Sequence, residues 1–210
     1  MNQIKKSSAT VSKILLCAAE LFAENGFDAT TLQEITEKAQ LSKGAVYHHF
    51  TSKQQIMDCL IQNQINEING KFIDLVNQTD LCAREKLNKL ANEFCNSHIQ
   101  HLLIQGKWVE NNPGALFITT KNTLTHITNS VSKIIQQGTR NGEFDCSYPD
   151  EVAGTLCLML DIWIDPSIIM LSNKMLCDRI DFVKDFLNKY GVKLDDSLWE
   201  KVKESFLKQQ

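Results

Sequence analysis

Apolar residues recur at helical spacing along most of the chain. Between Ser12 and Asn25 they fall three and four positions apart, and Asn25 and Gly26 then form a typical helix stop. The same spacing, with capping residues, glycines and prolines as boundaries, predicts further helices at 31–39, 43–49, 53–75, 82–105, 114–138, 149–164, 174–190 and 195–208. No long stretch alternates apolar and polar residues as strands do. The pattern therefore predicts an all-α protein.

Two of these helices are short and follow each other closely. Thr31 and Glu34 have the spacing of a capping box for the first, and Ser42 is the predicted N-cap of the second. Only residues 40–42 separate them, which is the dimension of a helix-turn-helix. The sequence thus predicts a helix-turn-helix at 31–50, followed without a flexible linker by a long fourth helix.

The second short helix has one apolar side. Helical spacing predicts that Val46 and Phe50 pack against Ile35. Its outward side chains are then Lys43, Gly44, Ala45, Tyr47 and His48. Small residues let a helix approach base edges closely, and a thymine methyl can pack on an alanine methyl. Singly, each is more often an ordinary surface residue, but together they favour DNA binding.

The segment AAELFAENGFDATTLQEITEKAQLSKGAVYHHFTSKQQI resembles the DNA-binding domain of the TetR/AcrR family, nearest to multidrug-binding repressors of the QacR kind. The resemblance implies a TetR-type domain at 8–68 and a helical ligand-binding and dimerisation domain at 69–210. It implies base contacts from Lys43, Gly44 and Ala45, and positions at or near phosphates for Thr31, Leu32, Ser42, Tyr47, His48, His49 and Lys53. Backbone contact is the only kind open to Leu32, and bracing of the fold is an alternative for His49. Gln40 departs from the family's usual turn glycine, so the turn must form without one.

The C-terminal two-thirds gives weaker signals. The resemblance implies that helices near 149–164 and 174–190 of two subunits form a four-helix dimer interface. An intramolecular core requires the same apolar spacing, so the sequence leaves both interpretations open. The residues concerned are Val152, Leu156, Leu160, Ile180, Val183 and Leu187.

A ligand pocket is expected among the middle helices, where large or polar residues occupy otherwise apolar positions. The candidates are Phe94, His98, His101, Trp108, Phe117, Met159, Asp161 and Trp163. Singly, each is more often an ordinary core or surface residue. Asp161 lies between Leu160 and Ile162 in the most apolar helix. It suits neutralisation of a cationic ligand, a hydrogen bond to a neighbouring helix, or exposure near the helix end.

Charge and composition narrow the function. The chain has a net charge of −3, yet residues 1–53 carry six lysines against five acids, a net charge of +1. DNA binding must then depend on dimerisation and well-placed donors more than on bulk charge. We expect a homodimeric, ligand-responsive repressor that releases a pseudo-palindromic double-stranded DNA operator when a small, lipophilic effector binds. The alternative is a helical interaction protein that keeps this DNA-binding domain as a relic, and operator binding distinguishes the two.

Several other classes are disfavoured. The chain shows neither a membrane-spanning apolar run nor a secretory signal, so we expect a cytoplasmic protein without membrane contact. Seven scattered cysteines without a CxxC pair argue against disulfides and against a metal site, with a redox or electrophile sensor as the less favoured alternative. The sequence lacks GxSxG, HExxH and a phosphate-binding glycine loop, so we expect neither an enzyme nor a cofactor.

Overall fold

The structure is a computed structural model that describes the backbone of residues 2–95, 113–165 and 168–208. Within these ranges every regular element is a helix, which confirms the predicted fold class. The described chain divides into two compact units, with one boundary between Gln64 and Ile65, inside one long helix, and another between Ala115 and Leu116. We call residues 2–64 the head, and residues 65–95 and 116–208 the body. None of the described helices is long and apolar enough to cross a membrane.

The head is built from α1 (Asn2–Asn25), α2 (Leu32–Lys38), α3 (Lys43–His49) and the first half of α4 (Lys53–Asn77). Helix α1 begins well before the predicted Ser12 and ends, as predicted, at Asn25. Gly26 follows with a φ of +82°, a left-handed conformation that glycine adopts without strain. Apolar side chains from all four helices form the buried core of the head, including Ile14, Ala18, Phe22, Ile35, Ala39, Val46, Phe50, Ile56, Met57 and Leu60.

Local hydrogen bonds fix where the short helices begin. The Thr31 hydroxyl accepts from Glu34 N at 3.2 Å, while Thr31 N donates to the Glu34 carboxylate at 2.7 Å, which is the predicted capping box. Ser42 Oγ accepts from Ala45 N at 3.2 Å, so its predicted role as N-cap of α3 is also confirmed. The loop before α2 is held by Thr30, whose buried hydroxyl lies 2.8 Å from Gly26 O.

The turn between α2 and α3 has a left-handed residue at its centre. Gln40 has a φ of +51°. Within the described residues, it is the one non-glycine residue whose φ is positive. Gln40 N donates to Glu37 O at 3.0 Å and Leu41 N donates to Thr36 O at 3.2 Å. These two bonds define a Schellman motif, in which glycine usually occupies the left-handed position. The turn therefore forms without glycine, as expected, and carries a local strain.

The remaining elements include two π-helical turns. They are α5 (Ala83–Cys95), α6 (Pro113–Asn122), the first π-turn (Thr123–Ile127), α7 (Thr128–Arg140), α8 (Pro149–Leu158), the second π-turn (Met159–Trp163), α9 (Asn173–Lys189) and α10 (Asp196–Leu207). Each π-turn contains a bond across five residues, from Thr128 N to Thr123 O and from Ile164 N to Met159 O at 3.0 Å. Each turn therefore lies inside or at the end of what the sequence predicts as one continuous helix.

For one set of apolar residues the sequence allows either a core role or an interface role. The structure places these residues in the core of the body. Side chains of Val152, Leu156, Ile180, Val183 and Leu187 are buried in it, and Leu160 packs against it half-buried. On these residues the intramolecular interpretation is correct. The outer sides of the same two helices instead expose large apolar side chains, namely Leu158, Met175 and Phe182.

The C-terminal end of α4 is fixed by a buried lysine. Lys86 Nζ donates to Val76 O at 3.0 Å and to Gln137 Oε1 at 2.8 Å. Burial lowers the pKa of Lys86 below its ordinary value. Gln137 in turn donates to Leu81 O at 3.1 Å. This network ties the end of α4 to α5 and α7.

Candidate functional site

Helix α3 separates a buried side from an exposed one. Val46 is fully buried, whereas Lys43 and Gly44 are exposed and Ala45 is half-buried. Tyr47 is 44% exposed, with the Lys43 ammonium 5.5 Å from the centre of its ring. A cation–π contact of this kind holds the lysine along the helix surface. Of the three residues expected to face bases, Lys43 and Gly44 are thus exposed, and Ala45 is partly exposed.

The two histidines at the end of α3 differ in exposure. His48 is exposed and His49 is half-buried, and their rings meet edge to face with centres 5.0 Å apart. Ser42 at the other end of α3 is exposed, and its oxygen caps the helix. His48 and Ser42 are therefore accessible, as a phosphate contact requires, while His49 is more enclosed.

Thr31 and Leu32 lie at the start of α2. Thr31 is exposed, but its hydroxyl is 2.8 Å from the Glu34 carboxylate within the capping box. Leu32 is the first residue of α2 and is half-buried. Backbone N–H groups in the first turn of a helix lack intrahelical partners, so Leu32 can offer its backbone N–H to a phosphate. The backbone N–H and the hydroxyl of Thr31 are both already bonded to the Glu34 carboxylate.

Lys53 has a structural role that the sequence analysis missed. Its ammonium donates to Phe27 O at 2.7 Å and to Asp28 O at 2.8 Å, and lies 4.7 Å from the centre of the Phe27 ring. An ammonium has three N–H donors, so two of the three already brace the loop between α1 and α2. The phosphate contact that the resemblance implies stays a prediction, and these two bonds leave one N–H of the ammonium for it.

The structure places four of the eight predicted pocket residues, namely Phe117, Met159, Asp161 and Trp163. His98, His101, Trp108 and the side chain of Phe94 lie outside the described residues. Phe117 is 71% exposed. Met159 and Trp163 are half-buried and pack against the body core. Trp163 is also covered by the Arg179 guanidinium, 4.8 Å from its ring, and its carbonyl accepts a hydrogen bond from the same group.

Asp161 lies on the second π-turn, and one of its carboxylate oxygens is buried inside the body. Burial raises the pKa of Asp161 to about 6, against a hydrogen bond from the Thr123 side chain that lowers it, and Asp165 raises it further. Within the described residues its Oδ2 is buried without a hydrogen-bond partner. Of the three roles considered from the sequence, the structure shows a hydrogen bond to a neighbouring helix, and it leaves one oxygen unused.

Other polar side chains lie on the same faces as Asp161 and Thr123. Cys157 is one turn before Asp161, and burial raises the pKa of its thiol to about 11, against a hydrogen bond from the Thr128 side chain. The Thr128 hydroxyl has no oxygen or nitrogen partner in the described chain, and the buried hydroxyl of Thr120, one turn before Thr123, is likewise unpartnered there. Asp161 therefore lies near Thr123 and Cys157 in a small polar cluster, and one of its carboxylate oxygens has no partner in the described residues.

A pair of amides next to this cluster was not anticipated. Asn69 Nδ2 donates to Asn122 Oδ1 at 2.8 Å, and Asn122 Nδ2 donates back to Asn69 Oδ1 at 3.1 Å. The pair joins α4 to the residue directly before the first π-turn. Their separation of 53 positions explains why no local pattern reveals them.

Four of the described cysteines have thiols whose pKa is raised. Desolvation by burial raises the pKa of Cys17, Cys59, Cys146 and Cys157, and these thiols are not in disulfides. Reactive cysteines require a lowered pKa, so these four are poor redox sensors. No three His, Cys, Asp or Glu side chains of the described residues converge as metal ligands.

Comparison with known proteins relates the head to a family of regulators. Residues 14–59 match the family model for bacterial regulatory proteins of the tetR family. The chain is 28% identical over 141 residues to the HTH-type transcriptional repressor KstR2 of Mycolicibacterium smegmatis, covering 63% of this chain and 66% of that one. It is 27% identical over 165 residues to the HTH-type transcriptional regulator UidR of Escherichia coli, covering 77% and 81%.

These matches differ in how much of each protein they include. Across KstR2 proteins the matched segments span from 32% to 66% of the relative's length. A solved gamma-butyrolactone receptor, an ArpA-like protein, aligns over 97% of this chain and 98% of its own with a TM-score of 0.59 at 18% identity. That likeness shows a shared fold over nearly the whole length. The family match over residues 14–59 therefore assigns the head, with its exposed side of α3, to the tetR family of bacterial regulatory proteins.

Proposed function

We propose that the chain is a ligand-responsive repressor that binds a pseudo-palindromic DNA operator as a homodimer and releases it when a small molecule binds the body. The observation that carries this proposal is the division of α3 into a buried side and an outward side, within the segment that matches the family. Names of relatives agree with it, because KstR2 is called a repressor and the aligned structure is called a receptor.

The packing of α3 supports the proposed set of DNA contacts. Val46 and Phe50 are buried, so the helix cannot rotate without exposing them. Lys43, Gly44 and Ala45 then face the major groove, where small side chains permit close approach and the lysine adds reach. Contacts from Tyr47 and the residues at the helix ends to phosphates set the register.

The outer sides of α8 and α9 are the surface we propose for dimerisation. Leu158, Met175 and Phe182 are between 37% and 51% exposed there, on the two helices whose inner sides form the body core. A second copy of the chain would cover these side chains in a symmetric four-helix contact. Phe182→Glu should shift the sedimenting species from dimer to monomer, whereas Ile73→Glu, at an equally exposed apolar residue on α4, should not.

DNA binding is tested by selecting binding sites from random duplex DNA with the purified full-length chain. We expect enrichment of two related half-sites about one helical turn apart, because two recognition helices enter successive major grooves. Lys43→Ala should weaken binding to the selected site and change the preferred bases. Lys13→Ala is the matched control, since Lys13 is also an exposed head lysine but lies on α1.

Two results would contradict this function. One is the failure of selection to enrich any sequence, which favours the interaction-protein alternative. The other is an equal loss of affinity in Lys43→Ala and Lys13→Ala, which indicates charge attraction without recognition by α3.

A further inference from the structure

We propose that Tyr47 is a positioning residue, whose aromatic ring holds the Lys43 ammonium along α3 and so determines how strongly Lys43 selects its base. The proposal rests on the operator binding proposed above and adds a residue that sets base specificity through another side chain. It starts from the position of the Lys43 ammonium, which lies 5.5 Å from the centre of the Tyr47 ring.

The two side chains lie on the same side of α3. They are four positions apart, so they are neighbours one helical turn apart on the helix surface. Gly44, the residue after Lys43, has no side chain, and a Cβ at this position would meet no atom within 4 Å. The lysine and the ring therefore lie beside an open part of the helix surface, where a base edge can come close.

The Tyr47 ring holds the lysine without using its hydrogen-bond donors. A cation within about 6 Å of a ring centre is attracted by the ring's electrons, and in the described part of the chain no oxygen or nitrogen atom accepts a hydrogen bond from Lys43. Lys53 also lies over a ring, that of Phe27, but it donates to two carbonyl groups as well. Lys43 thus keeps its three N–H donors for acceptors on a base, such as O6 and N7 of guanine.

Holding Lys43 in place lowers the cost of base selection. Lysine has a long flexible side chain that loses rotamer freedom when it is fixed, and both Lys43 and Tyr47 are exposed. A ring that limits the directions of the lysine before DNA binds reduces this entropic cost. Without the ring, Lys43 could reach neighbouring bases or a phosphate instead. Loss of the ring should therefore reduce discrimination between bases more than it reduces affinity.

The test measures affinity for single-base variants of the site that the full-length wild-type chain selects. Lys43→Met first identifies the base pair whose preference depends on Lys43. At that pair Tyr47→Leu, which removes the ring, should reduce the ratio of affinities for the preferred and the other bases about threefold, the size expected of a cation–π contact at an exposed site. Tyr47→Phe keeps the ring and should keep this ratio. Tyr148→Leu, at an exposed tyrosine of the body, should change neither ratio nor affinity.

A double-mutant cycle separates positioning of Lys43 from a merely structural role. In the Lys43→Met background, Tyr47→Leu should leave the ratio where Lys43→Met alone puts it, because the ring then has no ammonium to hold. A structural role of Tyr47 would lower stability and affinity in both backgrounds without changing the preferred base. Tyr47→Gln is a second ring-free variant and should behave like Tyr47→Leu, and circular dichroism establishes that each variant is folded.

Several results would overturn the role of Tyr47. These are an unchanged base preference in folded Tyr47→Leu and Tyr47→Gln, a loss in Tyr47→Phe as large as that in Tyr47→Leu, and an equal effect of Tyr47→Leu with and without Lys43. A selected site at which Lys43→Met changes no base preference overturns it too. If the wild-type chain selects no sequence, the operator function itself fails. A selected site with unchanged preference in the ring-free variants overturns the positioning role alone.

Discussion

The polar side chains around α2 in the head differ from those around Asp161 in the body in how completely they are hydrogen-bonded. In the head, Thr30, Thr31 and Lys53 each place a polar group on a specific backbone or carboxylate partner, and together they fix the two loops around α2. In the body, Asp161 and Thr120 keep buried oxygen atoms without partners in the described residues. A satisfied network rigidifies a structure, and an unsatisfied one stores unfavourable free energy that a ligand can release.

Backbone strain shows a related contrast. The strained position of the head is a single residue, Gln40, in a turn between two short helices. In the body the irregularity is spread over two π-turns, at Thr123–Ile127 and Met159–Trp163, inside the helices that hold the polar cluster. Backbone irregularity is therefore confined to one turn in the head, whereas in the body it interrupts two helices.

The largest effect is expected at Asp161. Its folded-state pKa is raised from 3.8 to about 6, so the folded chain binds this proton more tightly than the unfolded chain. The associated stability is therefore fully present below pH 3.8 and is lost as the pH rises through about 6. Asp161→Asn should remove this part of the pH dependence and stabilise the chain at pH 7 by roughly 2–3 kcal/mol.

The measurement is chemical denaturation of wild type and Asp161→Asn between pH 4 and pH 8. Asp178→Asn is the control, because its carboxyl is exposed. Parallel curves of unfolding free energy against pH for wild type and Asp161→Asn would show that the buried Asp161 carboxylate does not destabilise the fold. The contrast between head and body would then depend on backbone geometry alone.

The next effect concerns the bracing of the head by Lys53. Lys53→Met keeps the aliphatic stem and removes the two hydrogen bonds to Phe27 O and Asp28 O. We expect a loss of about 2 kcal/mol in the free energy of unfolding, since hydrogen bonds from charged groups are worth about 1.5–3 kcal/mol. Lys43→Met, at an exposed lysine without such bonds, should change stability by less than about 0.5 kcal/mol.

The two lysine variants are also expected to differ in operator affinity, and here the direct effect belongs to Lys43→Met. Lys43→Met should weaken operator affinity in a folded head, whereas Lys53→Met should weaken it in proportion to the lost stability. If Lys53→Met unfolds at the same denaturant concentration as wild type and still binds poorly, Lys53 acts on phosphate and the bracing contacts are secondary.

The sequence predicts best what depends on neighbours in the chain. The capping box at Thr31 and the N-cap at Ser42 need partners only three residues away, and both are present. The partners of Lys53 are carbonyl groups 25 and 26 positions earlier, which have no signature in the sequence. The amides of Asn69 and Asn122 are similarly distant.

The candidate ligand site was predictable only in part. Asp161 stands out in the sequence because it is a charge in an apolar helix, but its partner Thr123 does not. The π-turns are also hidden, because one extra residue in a helical turn changes the apolar spacing very little. Core and interface positions such as Val183 share one spacing, so only three-dimensional packing assigns Val183 to the core and Phe182 to the surface.

A smaller effect is expected at the strained turn of the head. A left-handed conformation costs a non-glycine residue about 1–2 kcal/mol, and glycine adds an entropic cost of roughly 0.5–1 kcal/mol. Gln40→Gly should therefore stabilise the chain by about 1 kcal/mol, measured by denaturation. Gly26→Ala is the converse control, because Gly26 has a φ of +82° and should lose stability. Destabilisation by Gln40→Gly would mean that the Gln40 side chain contributes more than its backbone costs.

The smallest change in stability is expected at Gly44, on the surface that the head presents. A Cβ at this position meets no atom within 4 Å, and alanine is a better helix former than glycine. Gly44→Ala should therefore raise the free energy of unfolding by about 0.5 kcal/mol. The added methyl group would nevertheless stand between α3 and the base edges, so operator affinity should fall while stability rises. A variant that gains stability and keeps full affinity would show that DNA approaches α3 at another residue, since nothing in the folded head opposes the methyl group.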